Sequence, residues 1–156
     1  MTDRYAVIGN PIAHSKSPTI QAAFAASTGQ DMSYERLLAP LDGFRATVER
    51  FAAEGGLGLN VTIPFKLEAF ELATETTQRA RLAGAVNTLK RIDGGWLADN
   101  TDGAGLVRDL MHNHGIVVTG QAVAILGAGG AGRGILKPLL DAGAVSVAVS
   151  NRKMAK

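Results

Sequence analysis

The chain of 156 residues reads as an α/β protein. Three observations carry this. Short apolar runs alternate with longer stretches of helical spacing. Gly and Ala are abundant while aromatic residues make up only 5%, a balance that suits close packing of helices on a sheet. A glycine-rich loop at 127–132 sits between a run of strand character and one of helix character.

The elements follow in order. Tyr5 to Gly9 is a buried strand that ends at the turn Gly9-Asn10-Pro11. Ser17 before Pro18 is an N-cap followed by proline at the first helical position, and that helix runs to about Thr28 and stops at Gly29. Ser33 to Ala39 is a strand. Leu41 to Glu54 is a helix with Phe44, Val48 and Phe51 on one side, closed by Gly55-Gly56. Leu57 to Val61 is a third strand, with short helices at Phe65–Leu72 and Thr76–Leu82. Ala85–Ile92 and Trp96–Asn100 flank Asp93-Gly94-Gly95, the signature of a hairpin. Thr101-Asp102 opens a helix over about Gly103–His114. Ala122–Leu126 is a strand of small apolar residues, Arg133–Ala142 a helix and Val145–Ser150 a strand.

Composition narrows the function. The net charge of +2 is too small and scattered to point to nucleic acid, though it accommodates an anionic substrate. There is no cysteine, so disulfides and thiolate metal sites are excluded and a reducing cytoplasm is the natural compartment. The first residues lack a secretory apolar region, and no run reaches the ~18 apolar residues that span a membrane. His14 reads as structural, and His112 and His114 near a helix end make no metal site.

Gly127, Gly129 and Gly132 form G-x-G-x-x-G between strand and helix, with a further strand beyond. In that context the first glycine makes the turn, the second admits a pyrophosphate and the third lets the helix pack on the strand. This is the opening of a Rossmann-type dinucleotide-binding domain; the bland alternative is a close-packed turn with no ligand. The following strand ends in Ser150-Asn151-Arg152-Lys153, with no carboxylate for a ribose hydroxyl but two cations for a 2′-phosphate. NADP is therefore preferred over NAD, against the alternative of a solvated basic stretch.

The stretch Asn60-Val61-Thr62-Ile63-Pro64-Phe65-Lys66 alternates in character. In an extended backbone, Asn60, Thr62, Pro64 and Lys66 would line one polar wall and Val61, Ile63 and Phe65 an apolar face. Such a wall suits a small polyhydroxylated ligand. Lys66 and Asp102 are the candidate reactive pair, a lysine that moves a proton to or from a hydroxyl and a carboxylate that orients it. Taken singly, each is more commonly a surface lysine or a helix cap.

They occur together with Ser15-Lys16-Ser17-Pro18, Ala85-Val86-Asn87-Thr88 and Asn100-Thr101-Asp102-Gly103, in this order ahead of the glycine loop. The whole chain thereby resembles the shikimate dehydrogenase family, NADP-dependent enzymes of aromatic amino-acid biosynthesis that interconvert 3-dehydroshikimate and shikimate. The resemblance implies that residues 1–102 form an α/β substrate-binding domain and 103–156 the first βαβ part of an NADP-binding Rossmann domain, incomplete here. It implies that Ser15 and Ser17 bind the shikimate carboxylate, that Thr62, Asn87 and Asp102 hold ring hydroxyls with Asn60 in support, and that Lys66 and Asp102 are catalytic. Gly127, Ala128, Gly129, Gly130 and Ala131 would bind pyrophosphate, and Asn151, Arg152 and Lys153 the 2′-phosphate. Family members continue well past the position of Lys156, with helices that complete the substrate domain. The isolated chain is therefore expected to turn over little substrate and to pair with a second copy over exposed sheet and core. The competing readings are a quinate/shikimate dehydrogenase of broader specificity and a non-catalytic binding module.

Overall fold

The computed structural model describes residues 2–152. β1 (Asp3–Gly9), α1 (Ser17–Thr28), β2 (Met32–Leu38), α2 (Phe44–Ala53), β3 (Gly56–Val61), α3 (Lys66–Leu72), β4 (Glu75–Thr76), α4 (Gln78–Ala83), β5 (Thr88–Ile92) and β6 (Gly95–Asp99) build the larger part. α5 (Asp102–Arg108) runs into a π-helical turn over Asp109–Asn113, and β7 (Ala122–Leu126), α6 (Gly130–Asp141) and β8 (Ser146–Ser150) follow. β1 to β6 form a sheet of order β2-β1-β3-β5-β6-β4, and β7 and β8 form a second, parallel pair. β1 runs parallel to β2 and β3, whereas the β5–β6 hairpin lies antiparallel beside β3.

Alternation along the central strands decides what goes inside. Ala6 and Ile8 of β1, Leu59 and Val61 of β3, Leu89 of β5, and Trp96 and Ala98 of β6 all turn to one face. α2 and α3 cover that face with Phe44, Val48, Phe51, Ala69 and Leu72, and Phe65 stacks on Phe44 with ring centroids 5.0 Å apart. A single buried aromatic or aliphatic side chain in such a cluster contributes about 1.5–3 kcal/mol. The opposite face carries Tyr5, Tyr34, Asn60 and Thr88, which the register places together. The smaller core joins Val118, Ile125, Leu139 and Ala144.

α6 joins the two parts, packing on α4 of the larger and crossing α5. Gly103, Gly134 and Pro138 form the crossing, and a Cβ on Gly103 would lie 2.3 Å from Pro138 Cγ and 2.5 Å from the Gly134 carbonyl oxygen. No larger residue fits between these backbones without moving one of them.

Several sequence expectations change. Lys16, not Ser17, occupies the cap of α1, and Ser17 is its first helical residue with no capping hydrogen bond. β5 begins at Thr88, so Ala85 to Asn87 are not strand, and Glu75–Thr76 adds a short edge strand before α4. The glycine-loop helix begins at Gly130, earlier than Arg133. Most significantly, the polar wall is not one extended segment. β3 ends at Val61, the chain turns over residues 62–65 with a Phe65 N–H to Thr62 carbonyl bond of 3.0 Å, and Lys66 starts α3. Val61 and Phe65 are buried as expected, but Ile63 is 58% exposed. A proline lacks the N–H that a continuing ladder needs, so the strand ends before it.

Candidate active site

Lys66 stands at the start of α3, its carbonyl held by the Val86 N–H at 2.8 Å. Its ammonium donates to Asp102 Oδ2 at 2.6 Å, with 13% of the lysine side chain and 24% of the aspartate side chain exposed. Asp102 lies in the first turn of α5. Its side chain makes no cap: both oxygens are engaged laterally, the second accepting from Asn87 Nδ2 at 2.9 Å.

Asn87 is the hub of this cluster. Its Nδ2 also donates to Thr101 Oγ1 at 2.8 Å, and its Oδ1 accepts from the Thr101 N–H at 2.9 Å and the Thr88 hydroxyl at 3.0 Å. Asn100 supports it from below. This buried side chain donates to the Ala85 carbonyl at 2.9 Å and accepts from the Asp102 N–H at 3.1 Å. A buried amide partnered at both ends is a rigid mount, since losing either partner leaves a desolvated polar atom costing about 1–3 kcal/mol. A partly buried ion pair held by further hydrogen bonds is a fixed donor–acceptor unit, which proton transfer requires.

The network continues across the sheet. Asn60 Nδ2 donates to the Asn87 carbonyl and to Thr88 Oγ1, both at 3.4 Å, and Asn60 Oδ1 accepts from the Tyr34 hydroxyl at 2.6 Å. Ser15 and Ser17 hydroxyls lie 3.2 Å apart, the first donating to the second, and Arg36 grips the Ser15 carbonyl with Nε at 2.9 Å and Nη2 at 2.7 Å. Thr62 closes against Gly9, where a Cβ would sit 2.6 Å from its methyl group. The structure thus joins Lys66, Asp102, Asn87 and Asn60 in one hydrogen-bonded cluster, and Thr62 stands apart from it. Tyr34, Arg36 and Asn100 are supporting residues that sequence reasoning missed. Tyr34 carried one legible signal: by strand alternation it shares a face with Asn60 once the register is known.

The glycine loop borders the same chemistry. A cleft of about 440 Å³ is lined by Lys66, Asp102, Leu106, Ile125, Gly127, Gly129 and Ala131 among others. Gly127 has φ +115°, a region that side-chain-bearing residues rarely adopt. A Cβ on Gly127 or Gly129 would meet only open space, so the loop leaves room for a ligand against its backbone. Gly132 is different: its Cβ would fall 2.1 Å from the Gly127 carbonyl oxygen, which is the close packing expected of the third glycine. Behind the loop, α6 directs a positive helix end into the cleft. Asn151 and Arg152 follow β8 and are exposed; Lys153 lies outside the described residues. Gly130 lies against Lys66: a Cβ added to it would fall 2.9 Å from Lys66 Cβ. The open backbone of the loop and the helix end behind it therefore fit a dinucleotide phosphate chain.

Comparison with known proteins agrees with this layout. Residues 7–89 match the family described as shikimate dehydrogenase substrate binding domain. A shikimate dehydrogenase (NADP(+)) of Herminiimonas arsenicoxydans is 61% identical over 156 residues, all of this chain and 57% of the relative. Among solved structures, the Ael1 enzyme from Pseudomonas putida is 50% identical with a TM-score of 0.89, covering 98% of this chain and 56% of its own. Shikimate 5-dehydrogenase from Thermus thermophilus, in complex with NADP(H) and shikimate, is 36% identical with a TM-score of 0.88, covering 97% of this chain and 57% of its own. The chain spans a little over half the length of the curated relatives it matches. Among the described residues no helix is long and apolar enough to cross a membrane. With its glycine loop set against a lysine–aspartate pair, the chain belongs to the shikimate dehydrogenase family, whose substrate-binding domain it carries at residues 7–89.

Proposed function

We propose that this chain forms the substrate site and the start of the cofactor site of an NADP-dependent shikimate dehydrogenase, which reversibly reduces 3-dehydroshikimate to shikimate. The observation that carries the reading is the shared cleft: Lys66 and Asp102 line the same space as the pyrophosphate-type loop at Gly127 and Gly129. Hydride exchange needs the reacting carbon of substrate and cofactor in contact, and a proton donor beside the oxygen.

In this reading residues 1–102 hold substrate and 103–156 begin the nucleotide domain. Ser15 and Ser17 take the carboxylate, while Thr62, Asn87 and Asp102 take ring hydroxyls with Asn60 behind them. Gly127, Ala128, Gly129, Gly130 and Ala131 hold the pyrophosphate of NADP, and Asn151, Arg152 and Lys153 its 2′-phosphate. The cofactor, when bound, supplies or accepts the hydride. In the reducing direction the Lys66 ammonium gives one proton to the carbonyl oxygen as that oxygen becomes a hydroxyl. Asp102, 2.6 Å from the ammonium, holds the donor in line, and in oxidation the free amine takes the proton back. Asn87 and Asn100 keep Asp102 from rotating away.

Lys66→Ala tests this. Turnover of shikimate with NADP by the encoded protein should fall by about 10²–10⁴-fold, the range for loss of a general acid–base group, with a small change in shikimate affinity. Equal losses in binding and turnover would show that the lysine only binds. Pairing of two copies belongs to the same reading, supported by exposed Leu126, Val145 and Val149 on the β7–β8 part. Light scattering of a strict monomer would remove that element alone.

A further inference from the structure

Tyr34 sits on β2, at the partner position of Tyr5 in β1, which in turn pairs with Gly58 of β3. Gly58 leaves room for the Tyr5 ring, 3.0 Å from where a Cβ would be, so two tyrosines share this face of the sheet. Past β1, the Tyr34 hydroxyl reaches Asn60 Oδ1 at 2.6 Å. An amide oxygen only accepts, so the phenol must donate. That assignment turns Asn60 Nδ2 towards the Asn87 carbonyl and Thr88 Oγ1, where acceptors stand at 3.4 Å. Both ends of the amide thus specify the same orientation. Burial, opposed in part by Ser17, pushes the phenol up to about 12, so it remains a donor throughout the neutral range.

We propose that Tyr34 is a positioning residue of the substrate site: its hydroxyl fixes which way the Asn60 amide faces and so holds Asn60 Nδ2 against Asn87. The inference rests on the shikimate reading of the site. A cyclic hydroxy acid needs its carboxylate at Ser15 and Ser17 and its ring hydroxyls at the asparagine cluster at once. Tyr34 acts on the second of these ends, through the Asn60 amide that donates to the Asn87 carbonyl and to Thr88. With the phenol absent, Asn60 Oδ1 loses its short bond and the amide is free to turn.

The test is calorimetric binding of shikimate to the parent protein, Tyr34→Phe, Asn60→Ala and the double variant. Phe keeps the ring and removes one oxygen, and matching thermal melting confirms that each variant is folded. Each single change should raise Kd about tenfold, the worth of one good hydrogen bond, and the double change should cost about the same tenfold because the two act as one unit. An unchanged Kd in Tyr34→Phe, or losses that multiply to about a hundredfold in the double variant, would overturn the inference. The Asn60 side-chain amide gives a second readout by NMR without ligand: its paired signals should move in Tyr34→Phe, and unmoved signals overturn the inference. A parent protein that binds no shikimate overturns the functional reading and this inference together, whereas an indifferent Tyr34→Phe overturns the inference alone.

Discussion

α5 contains a built-in comparison for the packing argument. Gly103 is buried at the crossing with α6, where an added Cβ would lie 2.3 Å from Pro138 Cγ and 2.5 Å from the Gly134 carbonyl oxygen. Gly105, two residues on in the same helix, would place a Cβ in open space. Alanine at either position gains about 0.5–1 kcal/mol of helix preference over glycine. At Gly105 nothing opposes that gain. At Gly103 the contact is with the Pro138 ring and the Gly134 carbonyl, neither of which can swing aside as a flexible side chain would, and overpacking of this kind costs about 1–3 kcal/mol. Gly103→Ala should therefore destabilise by about 1–2 kcal/mol net while Gly105→Ala stabilises slightly. For a chain of this size the first should lower Tm by roughly 2–8 °C and the second raise it by roughly 1–4 °C. Scanning calorimetry of the two variants beside the parent decides the matter. Because Asp102 precedes Gly103, the shift should also loosen the 2.6 Å bond to Lys66 and weaken shikimate binding only in the Gly103 variant. Equal stability of the two alanine variants would refute the close-crossing argument.

Other consequences can be measured on the same protein. Gly130→Ala would set a methyl 2.9 Å from Lys66 Cβ, so turnover should fall more than NADP affinity does, by kinetics set against cofactor titration; a pure loss of cofactor binding would place the effect in the loop alone. Arg152→Asp should shift cofactor preference from NADP towards NAD, read as the ratio of the two dissociation constants, since a carboxylate repels a 2′-phosphate and accepts from a ribose hydroxyl. The Asp99 carboxyl is held below the usual carboxylate range, chiefly by its hydrogen bond from Arg79 and with help from Thr77 and the Asn100 N–H. A depressed folded value means that this stabilisation is complete above the unfolded value of about 3.9 and is lost as pH falls through the folded one. Chemical denaturation of the parent should therefore show stability falling on acidification from about pH 5, and Asp99→Asn should flatten part of that fall.

How far the sequence reaches can be judged residue by residue. The α/β class, the order of the main elements, the hairpin at Asp93-Gly94 and the helix stops at Gly29 and Gly55 follow from local rules of period, turn and cap, and the structure shows them. Lys66 and Asp102 were legible as a candidate pair because they sit in short, distinctive stretches, whereas Asn87 entered through the family resemblance. Their meeting was not written in local pattern, because 36 residues separate the lysine from the aspartate and no period or cap reports a 2.6 Å approach. The polar wall shows how such reasoning fails. Alternation predicted one extended segment through Lys66, but the strand ends at Val61, and Lys66 reaches the site from the first turn of a helix.

By itself, then, the sequence determined what each segment is and which side chains could do chemistry, since helix period, strand period and glycine turns depend on neighbours in the chain. Only the tertiary structure decided which of those side chains meet. Register placed Tyr34 and Asn60 on one face, α6 packed on α4 and against Asn100 at Gly134 set the approach of the two parts, and Gly130 brought the glycine loop against Lys66. Those meetings depend on packing between residues far apart in sequence, which no local pattern encodes.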